Sequence, residues 1–254
     1  MTPTETKVAL VTGAANGIGA AIAEQLAQDG MTVLVSDLNE TEAGRTAARF
    51  RDRGFSAEPL MLDVSSADSI AAAFASIKER HGRCDVVVNN AGIAKTFPFL
   101  EFPLENFAAT MAVNVTGTLL CAQHAARLMV PRGWGRIIKI ASVAGMRSIG
   151  RGRTAYGTSK AAVIGLTRQI ASELAEAGIT ANAVAPGPVD TPMTEVLHSA
   201  EFREAYTAAV PLKRYGRPSE IADIVSFLAS DRAAYITGAT IPVDGGFMAA
   251  GALG

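Results

Sequence analysis

The feature that most constrains the fold is a strict alternation of short apolar runs with longer stretches of helical periodicity, many of them closed by a glycine. "KVALVTG" is a continuous apolar run stopped by Gly13, and "IGAAIAEQLAQDG" follows with helical spacing and stops at Gly30. The alternation continues through "MTVLVSD", the amphipathic "NETEAGRTAARFRDRG", "AEPLMLDV", "SADSIAAAFASIKERHG" with a Ser cap, and "CDVVVNNAG". It goes on through a helical stretch over 104–129, "GRIIKIAS", a helix running to Glu176, "ITANAVAPG", "PSEIADIVSFLAS" and "ATIPVDGG". Short, continuous apolar strands fit a parallel sheet covered on both faces. Their alternation with helices predicts a doubly wound α/β fold with about seven parallel strands. At 254 residues and 49% hydrophobic, the chain suits one domain over 1–254 with a large core. The irregular part covers 186–217, and a helical, substrate-covering loop is expected at about 190–215.

Several function classes drop out early. A formal net charge of −1 gives no electrostatic reason to expect nucleic acid as a partner. No apolar run is long enough to span a bilayer, and "MTPTETK" lacks the basic and apolar regions of a signal peptide. Cys84 and Cys121 are far apart and lack metal-ligand spacing, so they read as small core residues in a reducing, cytoplasmic compartment. His81, His124 and His198 form no cluster and read as surface or helix-packing residues, and no metal is expected.

In open parallel sheets, ligands bind beyond the carboxyl ends of the strands. Four turns follow strands here: "TGAANGIG", "NNAG", "SVAG" and "PGPVDTP". In the first, Gly13 permits a tight turn, while Gly17 and Gly19 clear space for a pyrophosphate at a helix N-terminus. Asp37 ends the second strand, 18 residues beyond Gly19, where a carboxylate can bond an adenosine ribose diol and repel a 2′-phosphate. No Arg or Lys stands beside it in "VSDLNE", and Arg45 is the first cation after it. These residues predict NAD(H) over NADP(H). The plain alternative for Asp37, and for Asp63 after the third strand, is a helix cap.

In "AYGTSKAAVIGL", Tyr156 and Lys160 are four residues apart and share a helix face. Ser142 ends the fifth strand, and Asn114 sits mid-helix, where Asn is a poor helix former. "TGAANGIG", "NNAG", Asn114, Ser142 and Tyr156-x-x-x-Lys160 together resemble the short-chain dehydrogenase/reductase family over residues 7–246. The resemblance implies a single-domain Rossmann fold and an oxidoreductase acting on CH–OH groups. It makes Tyr156 the general acid/base, with Lys160 lowering its pKa and bonding the nicotinamide ribose. It makes Ser142 the orienter of the substrate oxygen and Asn114 the holder of a proton-passing water. The cofactor contacts it implies are Gly13, Asn16, Gly17, Ile18, Gly19, Asp37, Asp63, Val64, Asn90, Ala91, Gly92, Tyr156, Lys160, Pro186, Gly187, Val189 and Thr191.

The substrate is the least legible part. Arg147, Arg151 and Arg153 fall within ten residues of Tyr156, and Lys95 follows the "NNAG" turn. Arginine suits carboxylate, sulfonate or phosphate, so these four either form a mouth for an anionic substrate or are solvated surface charge. The leading expectation is an NAD-dependent dehydrogenase of a small-molecule secondary alcohol: a polyol, sugar or hydroxy acid. The alternative is a 3-oxoacyl-thioester reductase, a role that usually implies NADPH. A non-catalytic nucleotide-binding regulator is a third possibility. The resemblance further implies a homotetramer, and the small residues Ala161, Ala162 and Gly165 offer a face for close helix approach, toward a symmetry mate or within the subunit. The apolar tail "FMAAGALG" either reaches an interface or stays disordered.

Overall fold

The structure, a computed structural model, describes residues 6–250. The first five residues of "MTPTETK" and the last four of the tail lie outside the described residues. Seven strands form one parallel sheet: β1 (Val8–Thr12), β2 (Thr32–Asp37), β3 (Ala57–Met61), β4 (Val86–Asn89), β5 (Gly135–Ile140), β6 (Ile179–Pro186) and β7 (Thr240–Val243). Their order is β3-β2-β1-β4-β5-β6-β7. The helices are α1 (Gly17–Gln28), α2 (Glu40–Asp52), α3 (Ala67–His81), α4 (Leu104–Met111), α5 (Thr118–Met129), α6 (Thr154–Leu174), α7 (Pro192–Leu197), α8 (Ala200–Ala209) and α9 (Pro218–Ala229).

Successive strand residues point to opposite faces of a sheet, and both faces are covered. Ala9 and Val11 pack with Ile22, Leu26, Phe50, Val225 and Leu228 of α1, α2 and α9. Val8 and Leu10 pack on the other side with Ile70, Phe74 and Ile77 of α3 and Cys121 and Met129 of α5. Each large apolar side chain so buried contributes about 1.5–3 kcal/mol. The edges differ from the centre. β3 pairs with β2 alone, is buried only at Ala57 and alternates half-buried with exposed residues after it, and carries Pro59, which only an edge strand tolerates.

Of the three cap readings, the Ser cap holds and the two Asp caps do not. Ser66 accepts from the Ser69 amide at the start of α3. Asn39, rather than Asp37, caps α2, and Asp63 spends an oxygen on the Ser65 amide and hydroxyl rather than on a helix. The long helix over 104–129 is interrupted: Ala112–Gly117 is a π-helical segment with Asn114 inside it. The sheet order reverses between β1 and β4, which opens a crevice at their carboxyl ends.

Candidate active site

That crevice is a cleft of about 400 Å³, and every residue expected to bind a cofactor lines it. It begins at the turn after β1. Gly17 has φ +57°, a backbone conformation in which a side chain is strained, and Thr191 stands 3.7 Å from the place its Cβ would occupy. Gly19 excludes a side chain by crowding, because a Cβ there would sit 2.1 Å from the Gly13 carbonyl oxygen. Asn90 secures the turn from β4: its Nδ2 donates to the carbonyls of Thr12 and Gly13 at 2.9 and 3.0 Å. The Thr12 hydroxyl in turn accepts from the Asn90 and Ala91 amides, both at 3.0 Å. The three glycines thus bring bare backbone to the cleft at the N-terminus of α1, which suits a pyrophosphate.

Asp37 lies at one end of the cleft, with its oxygens accepting from the Ala15 amide at 3.2 Å and the Asn39 amide at 3.0 Å. Next to it, Leu38 is 65% exposed and lines the cleft. Arg45 is occupied by Glu42 at 2.5 Å on the same helix, and no cation lines this end. Val64 and Asp63 complete the adenosine end, and Pro186, Gly187, Val189 and Thr191 line the opposite wall. Thr191 caps α7, exchanging hydrogen bonds with Thr194, so its hydroxyl is shared with the backbone. The cleft also takes Met193 of the expected covering segment, and Leu62, Ile93, Val113, Ile140, Ala141 and Thr194, which sequence reading did not single out. They are apolar or small wall residues, and only their place after a strand end distinguishes them from core.

The groups expected to act as acid and base meet where β5, the π-helical segment and α6 converge. Lys160 is buried and its Nζ donates to the Ile140 carbonyl at 2.8 Å. Burial holds its pKa down at about 8. Its Nζ lies 5.6 Å from the centroid of the Tyr156 ring. Burial pushes the Tyr156 phenol upward, opposed by a hydrogen bond with Ser142 and by the charge of Arg153. The Lys160 ammonium is engaged by the strand carbonyl, and Arg153 adds a positive charge that lowers the phenol. The Ser142 Oγ also accepts from the Ala144 amide at 3.1 Å, which fixes its rotamer. Asn114, 1% exposed, accepts from the Ile93 amide at 2.9 Å and donates to the Ile93 carbonyl at 3.1 Å and to Ser159 Oγ at 2.9 Å. Its carboxamide therefore ties the loop after β4 to α6, and it lies behind the cleft wall rather than in it.

The four cations proposed for the substrate do not line the cleft. Lys95, Arg147 and Arg151 are exposed, and the Arg147 guanidinium lies 5.1 Å over the Phe247 ring. Arg153 alone is half-buried, and it meets His198 Nε2 at 3.0 Å. His198 is itself buried, which leaves the helix-packing half of its expectation and excludes the surface half. It packs with Phe202, Tyr206 and Tyr215 under α7 and α8, the helical segment expected at 190–215. The other two histidines do sit on helices, His124 stacked on Phe74 at 5.4 Å. Cys84 and Cys121 are buried free thiols whose pKa values burial raises. Among the described residues no three His, Cys, Asp or Glu side chains cluster for a metal, and no helix is long and apolar enough to cross a membrane.

The likenesses to known proteins agree with this geometry. A family model described as enoyl-(acyl carrier protein) reductase matches residues 13–248. The 3-oxoacyl-[acyl-carrier-protein] reductase FabG of Aquifex aeolicus is 42% identical over 94% of this chain and 96% of its own length. The 3-oxoacyl-[acyl-carrier-protein] reductase of Synechocystis is 43% identical over 98% of this chain and 99% of its own. A gluconate 5-dehydrogenase from Burkholderia cenocepacia, solved with NADP and tartrate, superposes with a TM-score of 0.93 at 35% identity, covering 98% of this chain and 97% of that one. With its glycine cradle, its Ser142/Tyr156/Lys160 constellation and these full-length likenesses, the chain belongs to the short-chain dehydrogenase/reductase family of NAD(P)(H)-dependent oxidoreductases.

Proposed function

We propose that this chain reduces 3-oxoacyl thioesters to 3-hydroxyacyl thioesters. The observation that carries the reading is its end-to-end likeness, at 42–43% identity, to two 3-oxoacyl-[acyl-carrier-protein] reductases. It replaces the alcohol dehydrogenase reading as the leading one. A nicotinamide dinucleotide bound in the cleft supplies or takes the hydride.

The chain's own residues handle position and proton. Tyr156 donates its hydroxyl proton to the substrate oxygen in reduction and withdraws it in oxidation. Ser142, held by the Ala144 amide, donates a second hydrogen bond to the same oxygen. Lys160 holds the ribose hydroxyls and, with a pKa near 8, exchanges protons readily near neutrality. Asn114 is clamped in the π-helical segment and holds the water through which Lys160 exchanges protons with solvent. Gly13, Gly17 and Gly19 give the pyrophosphate its approach, and Asp37 takes the adenosine ribose.

For the cofactor we propose NAD(H). Asp37 would face a 2′-phosphate with like charge, Leu38 offers it no donor, and Arg45 is engaged by Glu42. The NADP bound in the Burkholderia neighbour is the observation on the other side. A second reading, a hydroxy-acid or sugar-acid dehydrogenase, draws on that neighbour's tartrate and on Arg153, a half-buried guanidinium with no carboxylate partner among the described residues. For assembly we propose a homotetramer. Ala161 is exposed and a Cβ on Gly165 would meet nothing within 4 Å, so that face of α6 is open to a second copy rather than packed within the subunit. The two free thiols are in keeping with a cytoplasmic setting.

The test is a steady-state comparison of acetoacetyl-CoA reduction by NADH and NADPH with NAD-linked oxidation of gluconate and neutral polyols. Thioester reduction exceeding the other activities by about 100-fold in kcat/KM supports the proposal. The reverse ranking transfers it to the second reading. A preference for NADPH would overturn the cofactor assignment alone.

A further inference from the structure

His198 joins α7 to α8 in the segment that overlies the cleft, and both of its ring nitrogens are engaged. Nε2 lies 3.0 Å from Arg153 Nη2, and Nδ1 lies 3.0 Å from the Tyr215 hydroxyl. A guanidinium only donates. Nε2 therefore carries the lone pair, and Nδ1 carries the proton and donates to Tyr215. Phe202 flanks the pair, 4.6 Å from the imidazole and 5.4 Å from the guanidinium. The far side is braced too: Arg203 lies 4.1 Å over the Tyr215 ring and pairs with Asp190.

Arg153 occupies the N-cap position of α6, without a side-chain cap bond, and precedes Tyr156 by three residues, about one helical turn. We propose that His198 is a positioning residue for the redox reaction, in which its Nδ1-protonated tautomer ties the overlying segment to Arg153 and thereby fixes a positive charge one helical turn from the Tyr156 phenol. The proposal rests on Tyr156 being the acid/base group. It goes beyond that reading by making the acidity of Tyr156 depend on the seating of α7 and α8. Burial and the charges of Arg153 and Arg203 hold His198 at about 4, so the accepting tautomer persists across the neutral range. The groups facing Tyr156 are Ser142 from the turn after β5, Arg153 and Lys160 from α6, and Tyr206 from α8. Those facing His198 are Arg153, Arg203, Tyr206 and Tyr215. Among them only Arg153 touches His198 and also lowers the phenol.

The experiment is an ultraviolet difference titration of the Tyr156 phenolate, taken as each protein minus its Y156F counterpart, which needs no substrate. The proteins are wild type, R153M, H198F, H198Q and the R153M/H198F double variant. The expected midpoint moves to higher pH in R153M and in H198F. It returns toward wild type in H198Q, whose amide can accept from Arg153 and donate to Tyr215. It moves no further in the double variant than in R153M, because the two act in series. A midpoint unmoved in R153M overturns the proposal, and so does an H198F that loses thermal stability with its midpoint unchanged. Where H198F does not fold, R153M and H198Q carry the test. Turnover by Y156F itself would instead sink the acid/base reading, so the two failures are distinguishable.

Discussion

The Nζ of Lys160 donates to the backbone carbonyl of Ile140 at 2.8 Å, so the catalytic helix is pinned to the last residue of β5, two positions before Ser142. This one bond sets the spacing between strand and helix groups of the site. Burial brings the ammonium down to about 8, so it is charged below that pH and neutral above it. Affinity for NADH is therefore expected to fall as pH rises through about 8, as the charge on the lysine proposed to hold the ribose is lost. K160M removes that dependence and lowers kcat/KM by about 100-fold or more. Fluorescence titration of NADH from pH 6.5 to 9.5 checks the first part and steady-state kinetics the second.

Asn114 makes three hydrogen bonds through its carboxamide while 1% exposed. Removing it leaves the Ile93 amide and carbonyl and the Ser159 hydroxyl short of that partner. N114A is expected to lose about 2–3 kcal/mol of stability, since each buried bond is worth roughly 1 kcal/mol and orphaned groups cost more. N114D keeps two acceptors but cannot donate from its ionised carboxylate to the Ile93 carbonyl, and should be no better. Urea denaturation of both variants reads the loss. A change of less than about 0.5 kcal/mol would mean that the π-helical segment holds itself.

The sequence made the fold legible because its periodicity carries the physics. The apolar runs named all seven strands, with ends within about three residues, and the caps and glycines placed the main helix ends. The cofactor cleft was equally legible, since each of its turns follows a strand end where this topology must bind ligands. Two things were not. The π-helical break at Asn114 appears in sequence only as an Asn in a helix, because the tertiary bonds to Ile93 and Ser159 decide it. The Arg153–His198 contact joins residues 45 apart through a loop whose path no periodicity fixes. For the same reason, the three arginines could be placed near Tyr156 in the chain, and Lys95 after the "NNAG" turn, but none of them in or out of the cleft.

Gly19 tests the cradle. A Cβ there would lie 2.1 Å from the Gly13 carbonyl oxygen and 2.5 Å from Asn90 Nδ2, so the turn must open or the strand-end latch must break. Overpacking of this kind costs about 1–3 kcal/mol. The displaced groups also shape the pyrophosphate site. G19A is therefore expected to weaken NADH by more than tenfold and to lower the melting temperature, while Gly44→Ala, inside α2 with nothing within 4 Å, leaves NADH binding unchanged and raises the melting temperature slightly. Differential scanning fluorimetry with and without NADH separates the two effects.

Lys139 is 0% exposed in the central strand β5, and its Nζ has no hydrogen-bond partner. Its register neighbour on β4 is Asn89, whose buried Nδ2 is likewise unpaired. An ammonium only donates, so a charged Lys139 leaves two donors side by side, whereas a neutral amine offers a lone pair. Burial lowers its pKa from 10.5 to about 7. Between those values the unfolded chain binds a proton that the folded chain does not, so stability rises with pH across that window. Below pH 7 both states are protonated and the full cost of burying the charge is present. K139M is therefore expected to be more stable than wild type near pH 6, by on the order of 1–4 kcal/mol. That advantage should shrink steadily toward pH 10. Urea midpoints for the two proteins from pH 6 to 10 measure it, and parallel curves would show that Lys139 keeps an ordinary pKa within the sheet.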